Sequence, residues 1–216
     1  MKQTSKYRLS VFGLSWLAVA VWTTIVVSRF QPLRHLDHQF LRILRANGRP
    51  GLTTFFNVVT AMADPTTVMI LGLTITIALW LMRQNPLALK TIVFIVLGNL
   101  VVHGVKVLVA RPRPLQQMVP ATGFSFPSGH TFNAVLIAIL FWEIIAIVLQ
   151  HQSTRVIVAA LLIVWVGLVG LSRMYLQVHF PSDIIGGLLF GWAWFETTEL
   201  MFELLHIPSR FGTHRF

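Results

Sequence analysis

Apolar residues run in blocks of about twenty, the length a helix needs to cross the hydrocarbon of a bilayer. Six such blocks stand out, at 9–27, 65–82, 87–110, 131–149, 156–171 and 184–205. They predict an all-α integral membrane bundle of six transmembrane helices, because helices satisfy their own backbone hydrogen bonds in lipid. Lys2, Lys6 and Arg8 precede the first block as in a signal peptide. Its apolar stretch is too long for one and lacks a small-x-small cleavage site, so it is expected to remain as a helix. Between the first two blocks the pattern changes: Arg29, Arg34, Arg42, Arg45 and Arg49 alternate with Phe30, Leu33, Leu36, Phe40, Leu41 and Leu44. Residues 28–64 therefore predict an amphipathic interfacial helix, broken at Gly48, Pro50 and Gly51. With no internal repeat or low-complexity stretch, residues 1–216 read as a single domain.

Composition agrees: 55% of residues are hydrophobic, 11% are charged, and the mean hydropathy is +0.72, which is membrane-protein usage. Cysteine is absent, so disulfides and thiolate-bound metals are excluded. A net charge of +10 would suggest nucleic acid in a soluble protein, but there is no long basic run or basic helix face. Scattered basic loops instead fit anionic headgroups and a phosphorylated substrate. An even number of spans puts both termini on one side. That side carries eight Lys/Arg, Arg210 and Arg215 among them, against nine on the other, a near tie. Setting aside Lys106, Arg113 and Arg173 as site residues leaves eight against six, which favours cytoplasmic termini and an extracytoplasmic site in the plasma membrane.

Charges at the ends of membrane helices are costly and mark function, and here they converge. Lys106 stands near the end of the third block, followed by Arg111-Pro-Arg113-Pro. Phe-Pro-Ser128-Gly129-His130 leads into the fourth, and Ser-Arg173 and His179-Phe-Pro-Ser-Asp183 connect the fifth to the sixth. Helix parity gathers all of them at one membrane face. Three cations beside a Ser-Gly turn at a helix N-terminus make a trap for a multiply charged anion such as phosphate. The two histidines supply a nucleophile and a proton donor for ester cleavage. Asp183, in the first turn of a helix starting near Pro181, can reach an imidazole N–H and fix its tautomer. Taken singly, Lys106 is a snorkelling anchor and Ser128 an N-cap; the spacing and the convergence favour a site.

The segments Lys106-x6-Arg113-Pro, Pro-Ser128-Gly129-His130 and Ser-Arg173-x5-His179-x3-Asp183 resemble the signature of the type 2 phosphatidic acid phosphatase family over about eighty residues. The resemblance implies that His179 attacks phosphorus to form a phosphohistidine, Asp183 orients it, and His130 protonates the leaving alcohol and later activates water. It implies that Lys106, Arg113, Arg173, Ser128 and the Gly129 N–H hold the phosphoryl oxygens, with no metal or cofactor. The size and layout resemble the small bacterial members, which implies a lipid substrate such as phosphatidylglycerol phosphate or undecaprenyl diphosphate. Transfer to another lipid alcohol is the alternative; a transporter and a vanadium haloperoxidase are weaker ones, and oligomeric state is not readable. A headgroup contact and a bland role weigh equally for Arg111. His103 reads as a packing histidine, and Gly186, Gly187 and Gly191 as close helix packing. Glu196, Glu199 and Glu203 read as partners of a neighbouring helix, and Glu143 needs a partner that the sequence does not name.

Overall fold

The computed structural model describes residues 2–149 and 151–207; Arg210 and Arg215 lie outside the described residues. Among the described residues nine α-helices follow one another: α1 Lys2–Val27, α2 Gln31–Ala46, α3 Pro50–Ala61, α4 Pro65–Leu81, α5 Asn85–Ile92, α6 Gly98–Val109, α7 Gly129–Val148, α8 Gln152–Tyr175 and α9 Pro181–Leu204. No strand occurs among the described residues. Helices α2, α3, α4, α5 and α9 each begin with proline in the first two positions, where its missing N–H costs nothing and its fixed φ suits a helix. A π-helical turn, Val93–Leu97, joins α5 to α6.

Each predicted apolar block coincides with helix. Four stretches are long and apolar enough to cross a bilayer: Lys6–Val27, Pro50–Leu81, Asn85–Val109 and Gln152–Tyr175. The apolar part of α7, Gly129–Ile145, is shorter, and α9 carries Asp183, Glu196, Glu199 and Glu203. One reading needs correction. The fifth block ends at 171, but α8 continues through Arg173 to Tyr175, because Arg173 is buried and Tyr175 packs on Phe56. Residues 28–64 are interrupted around Gly48, as the sequence predicts: helix α2 ends at Ala46, Asn47 to Arg49 turn, and Pro50 and Gly51 open α3. Apolar α3 packs against α8, with Phe56, Val59 and Thr60 buried.

Helix α9 is the axis of the bundle, with α1 along one side and α7 on another; α8 packs on α7, and α4 on α5. The core includes Val19, Val68, Phe94, Phe126, Phe132, Leu136, Phe190 and Trp194. Trp194 Nε1 donates to the carbonyl of Phe94 in the π turn at 2.9 Å. Gly186 and Gly187 let the loop before α7 lie on α9. A Cβ would come within 2.5 Å of the Phe126 ring at the first and 2.7 Å of the Ser128 carbonyl at the second.

Away from the loop-bearing end, buried charges pair across four helices. Lys90 of α5 contacts Glu143 of α7 at 2.7 Å and Glu199 of α9 at 2.6 Å. Arg8 of α1 lies 3.3 Å from Glu199, 2.8 Å from Glu203 and 3.9 Å from Glu196. Glu143 thus has its partner, and the three glutamates of α9 pair with a neighbouring helix as expected. His103 is exposed on α6 rather than packed.

Candidate active site

The other end of the bundle gathers the motif residues, each set by a helix terminus. Ala110 closes α6 in the left-handed conformation, its N–H on the Lys106 carbonyl. This turns the chain sharply one residue ahead of Arg111. The loop folds back: Ser125 N–H donates to the Arg111 carbonyl at 2.8 Å and Ser125 Oγ to the Pro112 carbonyl at 3.1 Å. Ser128, fully buried, caps α7 by accepting from the Thr131 N–H at 3.4 Å and also accepts from Thr131 Oγ1 at 3.0 Å, while its own N–H donates to the Asp183 carbonyl at 3.0 Å. The first N–H groups of α7, beginning at Gly129, have no intrahelical acceptor. Lys106 lies over them, its Cε 3.7 Å from where a Gly129 Cβ would be.

Three cations surround this turn. Lys106 Nζ donates to the Phe124 carbonyl at 3.0 Å. Arg113 reaches the carbonyls of Thr122, Gly123 and Val178. Arg173, in the last turn of α8, donates through Nη1 to Thr60 Oγ1 at 2.9 Å, and its buried Nε has no hydrogen-bond partner. Among the described residues, none of the three forms an ion pair.

His179 is buried in the short connection from α8 to α9. Its Nε2 is 3.1 Å from Arg113 Nη1 and its Nδ1 is 3.4 Å from Asp183 Oδ2. At that separation Nδ1 makes no hydrogen bond; the charge of the carboxylate facing it favours the tautomer with the proton on Nδ1 and the lone pair on Nε2, beside Arg113. Burial pushes the imidazole well below its ordinary pKa of 6.5, and the charges of Lys106, Arg113 and Arg173 act in the same direction. His179 is therefore a neutral base at physiological pH. Asp183 is the third residue of α9, and its Oδ2 also accepts from the Phe180 N–H at 2.8 Å, a helix-start bond that fixes its rotamer. His130, the second residue of α7, has Nε2 3.5 Å from Asp64 Oδ2.

The structure brings together all eight residues read from the sequence: Lys106, Arg113, Ser128, Gly129, His130, Arg173, His179 and Asp183. It also adds residues that reading missed. Arg111 is not a headgroup contact. It donates through Nη1 to Asp183 Oδ1 at 2.6 Å and Ser182 Oγ at 2.7 Å, and through Nη2 to Asp37 Oδ2 at 2.8 Å. Its guanidinium lies 4.4 Å from the centre of the Phe180 ring. Asp37 in turn accepts from the N–H and hydroxyl of Ser182 at 3.0 and 2.6 Å, so α2 is fastened to the start of α9. A sequence signal for Asp37 exists: it is the one acidic residue in the basic stretch, on the stripe of Leu33 and Leu41. Asp64, the N-cap of α4, is signalled by the proline that follows it.

Residues 87–203, more than half of the chain, match the PAP2 superfamily. Phosphatidylglycerophosphatase B of Bacillus subtilis is 38% identical over 88 residues, 38% of this chain and 42% of that protein. Its Escherichia coli K12 namesake is 40% identical over 73 residues, 33% of this chain and 26% of that one. The matched stretches thus span less than half of either relative. Two solved structures share the fold. The transmembrane PAP2-type phosphatidylglycerolphosphate phosphatase of Bacillus subtilis has a TM-score of 0.72 at 24% identity, covering 92% of this chain and 96% of that one. Aquifex aeolicus LpxE has a TM-score of 0.59 at 25% identity, covering 76% and 94%. With the family's model running through every motif segment and a membrane relative superposing along nearly the whole chain, this protein belongs to the PAP2 superfamily.

Proposed function

We propose that the chain is a single six-span membrane domain that hydrolyses the terminal phosphate of a lipid, with phosphatidylglycerol phosphate or undecaprenyl diphosphate as the favoured substrate. The observation that carries this reading is the set of three cations without carboxylate partners around a neutral, oriented imidazole. Lys106, Arg113 and Arg173 draw in the phosphoryl group, and the Gly129 N–H and Ser128 complete its cradle at the N-terminus of α7. Arg113 brings phosphorus to His179 Nε2. The Nε2 lone pair forms the N–P bond as the P–O bond to the lipid breaks, and His130, protonated, gives its proton to the leaving oxygen. Water then attacks the phosphohistidine, His130 takes the water proton, the N–P bond breaks, and phosphate leaves. Asp183 holds the Nδ1 proton throughout. The three cations around the pocket would repel a divalent metal ion, which supports a metal-independent reaction.

Helix α2 supports an interfacial setting. Leu33, Leu41 and Leu44 face inward and Leu36, Phe40 and Ile43 are exposed beside them, while Arg34, Arg42 and Arg45 occupy the remaining face. Such a helix lies at the headgroup boundary, and the site beside it would be extracytoplasmic with the termini cytoplasmic. The test is phosphate release by detergent-purified protein from those two lipids, phosphatidic acid and diacylglycerol pyrophosphate, with EDTA present and His179→Ala as control. Release that persists in EDTA and disappears in the variant supports the reading. A labelled phosphate recovered on a second lipid alcohol instead of in solution would make the protein a transferase.

A further inference from the structure

We infer that Asp64 is the charge partner of the general acid: it acts through His130, holding the imidazole where it can keep its proton until the leaving oxygen takes it. This rests on the phosphatase reading above. Burial first, and then the positive charges of Arg173 in α8, Lys106 in α6 and Arg113 in the following loop, push the His130 imidazole from its ordinary 6.5 down to about 2. All of them disfavour the protonated form. A general acid must nevertheless be protonated when the ester breaks. Among the described residues, Asp64 is the one carboxylate within ion-pair distance of His130, Oδ2 lying 3.5 Å from Nε2.

The placement of Asp64 is fixed from its other oxygen. Oδ1 accepts the Thr66 N–H at 2.9 Å as the N-cap of α4, leaving Oδ2 directed at α7. The last turn of α3 just before it supplies Thr60, which holds Arg173. The turn between α3 and α4 therefore places one group on each side of the phosphate site: a hydroxyl that orients a phosphate-binding guanidinium, and a carboxylate that faces the acid. The proton on His130 passes to the leaving oxygen as the N–P bond to His179 forms, and returns to His130 from water in the second step.

A cap and a charge partner can be separated, because asparagine and serine cap a helix as well as aspartate does but carry no charge. The experiment compares kcat/KM of the wild type, Asp64→Asn and Asp64→Ser on dioctanoyl phosphatidic acid and on p-nitrophenyl phosphate. The alkoxide leaving from the first needs a proton, while the nitrophenolate leaving from the second does not. The expected result is a loss of at least about tenfold on the lipid, below the roughly 10² to 10⁴ that the general acid itself supplies. The aryl phosphate should lose little, and the alkaline limb of the lipid profile should move to lower pH. Equal losses on both substrates would mean that Asp64 serves phosphate binding through Arg173 or the fold alone, and would overturn the assignment. So would wild-type activity in both variants. Absence of release by the wild-type protein from either substrate would overturn the phosphatase reading and this one with it.

Discussion

The two ends of the bundle bury charge in opposite ways. At the end where α1 begins and α9 finishes, Lys90 sits between Glu143 and Glu199, and Arg8 spans Glu196, Glu199 and Glu203. Both of these cations rest on carboxylates from other helices. At the loop-bearing end, Arg111 alone is treated that way, between Asp37 and Asp183. Lys106, Arg113 and Arg173 donate to carbonyl and hydroxyl oxygens and, among the described residues, have no carboxylate in ion-pair contact; Asp183 and Asp64 act on them only from farther away. A buried cation with a carboxylate partner belongs to the architecture. A buried cation without one carries a desolvation cost that only a ligand can offset, and its sign names the ligand's sign. Sequence position does not make this distinction, since Arg111 and Arg113 are two residues apart and fall on opposite sides of it.

The sharpest break of the comparison is between loss of activity and loss of stability. His179→Ala should abolish turnover altogether, with the melting temperature little changed, because no second nucleophile is placed at Nε2. Lys106→Met should cost about 10² or more in kcat/KM, the scale of one transition-state donor, and should leave the melting temperature equal or raised. Lys90→Met should do the reverse. Removing the ammonium from the Glu143 and Glu199 network costs about 3–5 kcal/mol, read by denaturant or thermal unfolding, while the folded fraction keeps its specific activity. Replacing Glu143 and Glu199 by Gln in the same protein should recover most of that loss. A Lys106→Met protein that unfolds, or a Lys90→Met protein that is stable but inactive, would erase the distinction between the ends.

These same residues show what a sequence can and cannot disclose. The apolar blocks are legible because each helix meets lipid as its solvent, and length and hydropathy alone decide that. The site is legible because Lys106, Arg113, Arg173 and the two histidines are ionisable groups at the ends of apolar blocks, where few reasons for them exist. Partners are less legible. Asp37 meets Ser182 across 145 positions and Arg111 across 74, and periodicity carries no information at that range. Hydropathy alone puts Arg173 beyond its helix, because the apolar run ends at Leu171. Buried contacts with Thr60 and the packing of Tyr175 extend the helix past the point where hydropathy stops.

A finer break lies within the catalytic end. Asp37→Asn keeps the shape of the contact with Ser182 but removes half of the charge that balances Arg111. The bond to the Ser182 N–H survives through the amide oxygen, so the expected cost is about 1–3 kcal/mol, that of weakening one buried charged hydrogen-bond set. Because Arg111 also holds Asp183, kcat should fall while KM stays close to the wild-type value. A change confined to KM would place Asp37 with the phosphate-binding cations instead of with the orienting carboxylate.

The smallest effect is on pH dependence, and it follows from the neutral burial of His179. In the unfolded chain this imidazole takes up a proton near its ordinary pKa of 6.5; in the folded protein burial and the three cations hold it well below that. Below 6.5 the unfolded state thus binds more protons, so stability falls as the pH drops toward the lowered folded value. Above 6.5 both states are neutral and the contribution vanishes. One proton contributes a slope of at most about 1.4 kcal/mol per pH unit. Melting curves of the wild type and His179→Ala from about pH 8 to about pH 5 isolate it: the difference between them should be flat above 6.5 and shift in favour of the variant below. The acid limb of wild-type kcat/KM should likewise lie below 6.5, since it reports the free enzyme's nucleophile. A limb at 6.5 with a pH-independent stability difference would mean that His179 is solvated like a surface imidazole, and that the three cations beside it do not act on it as a group.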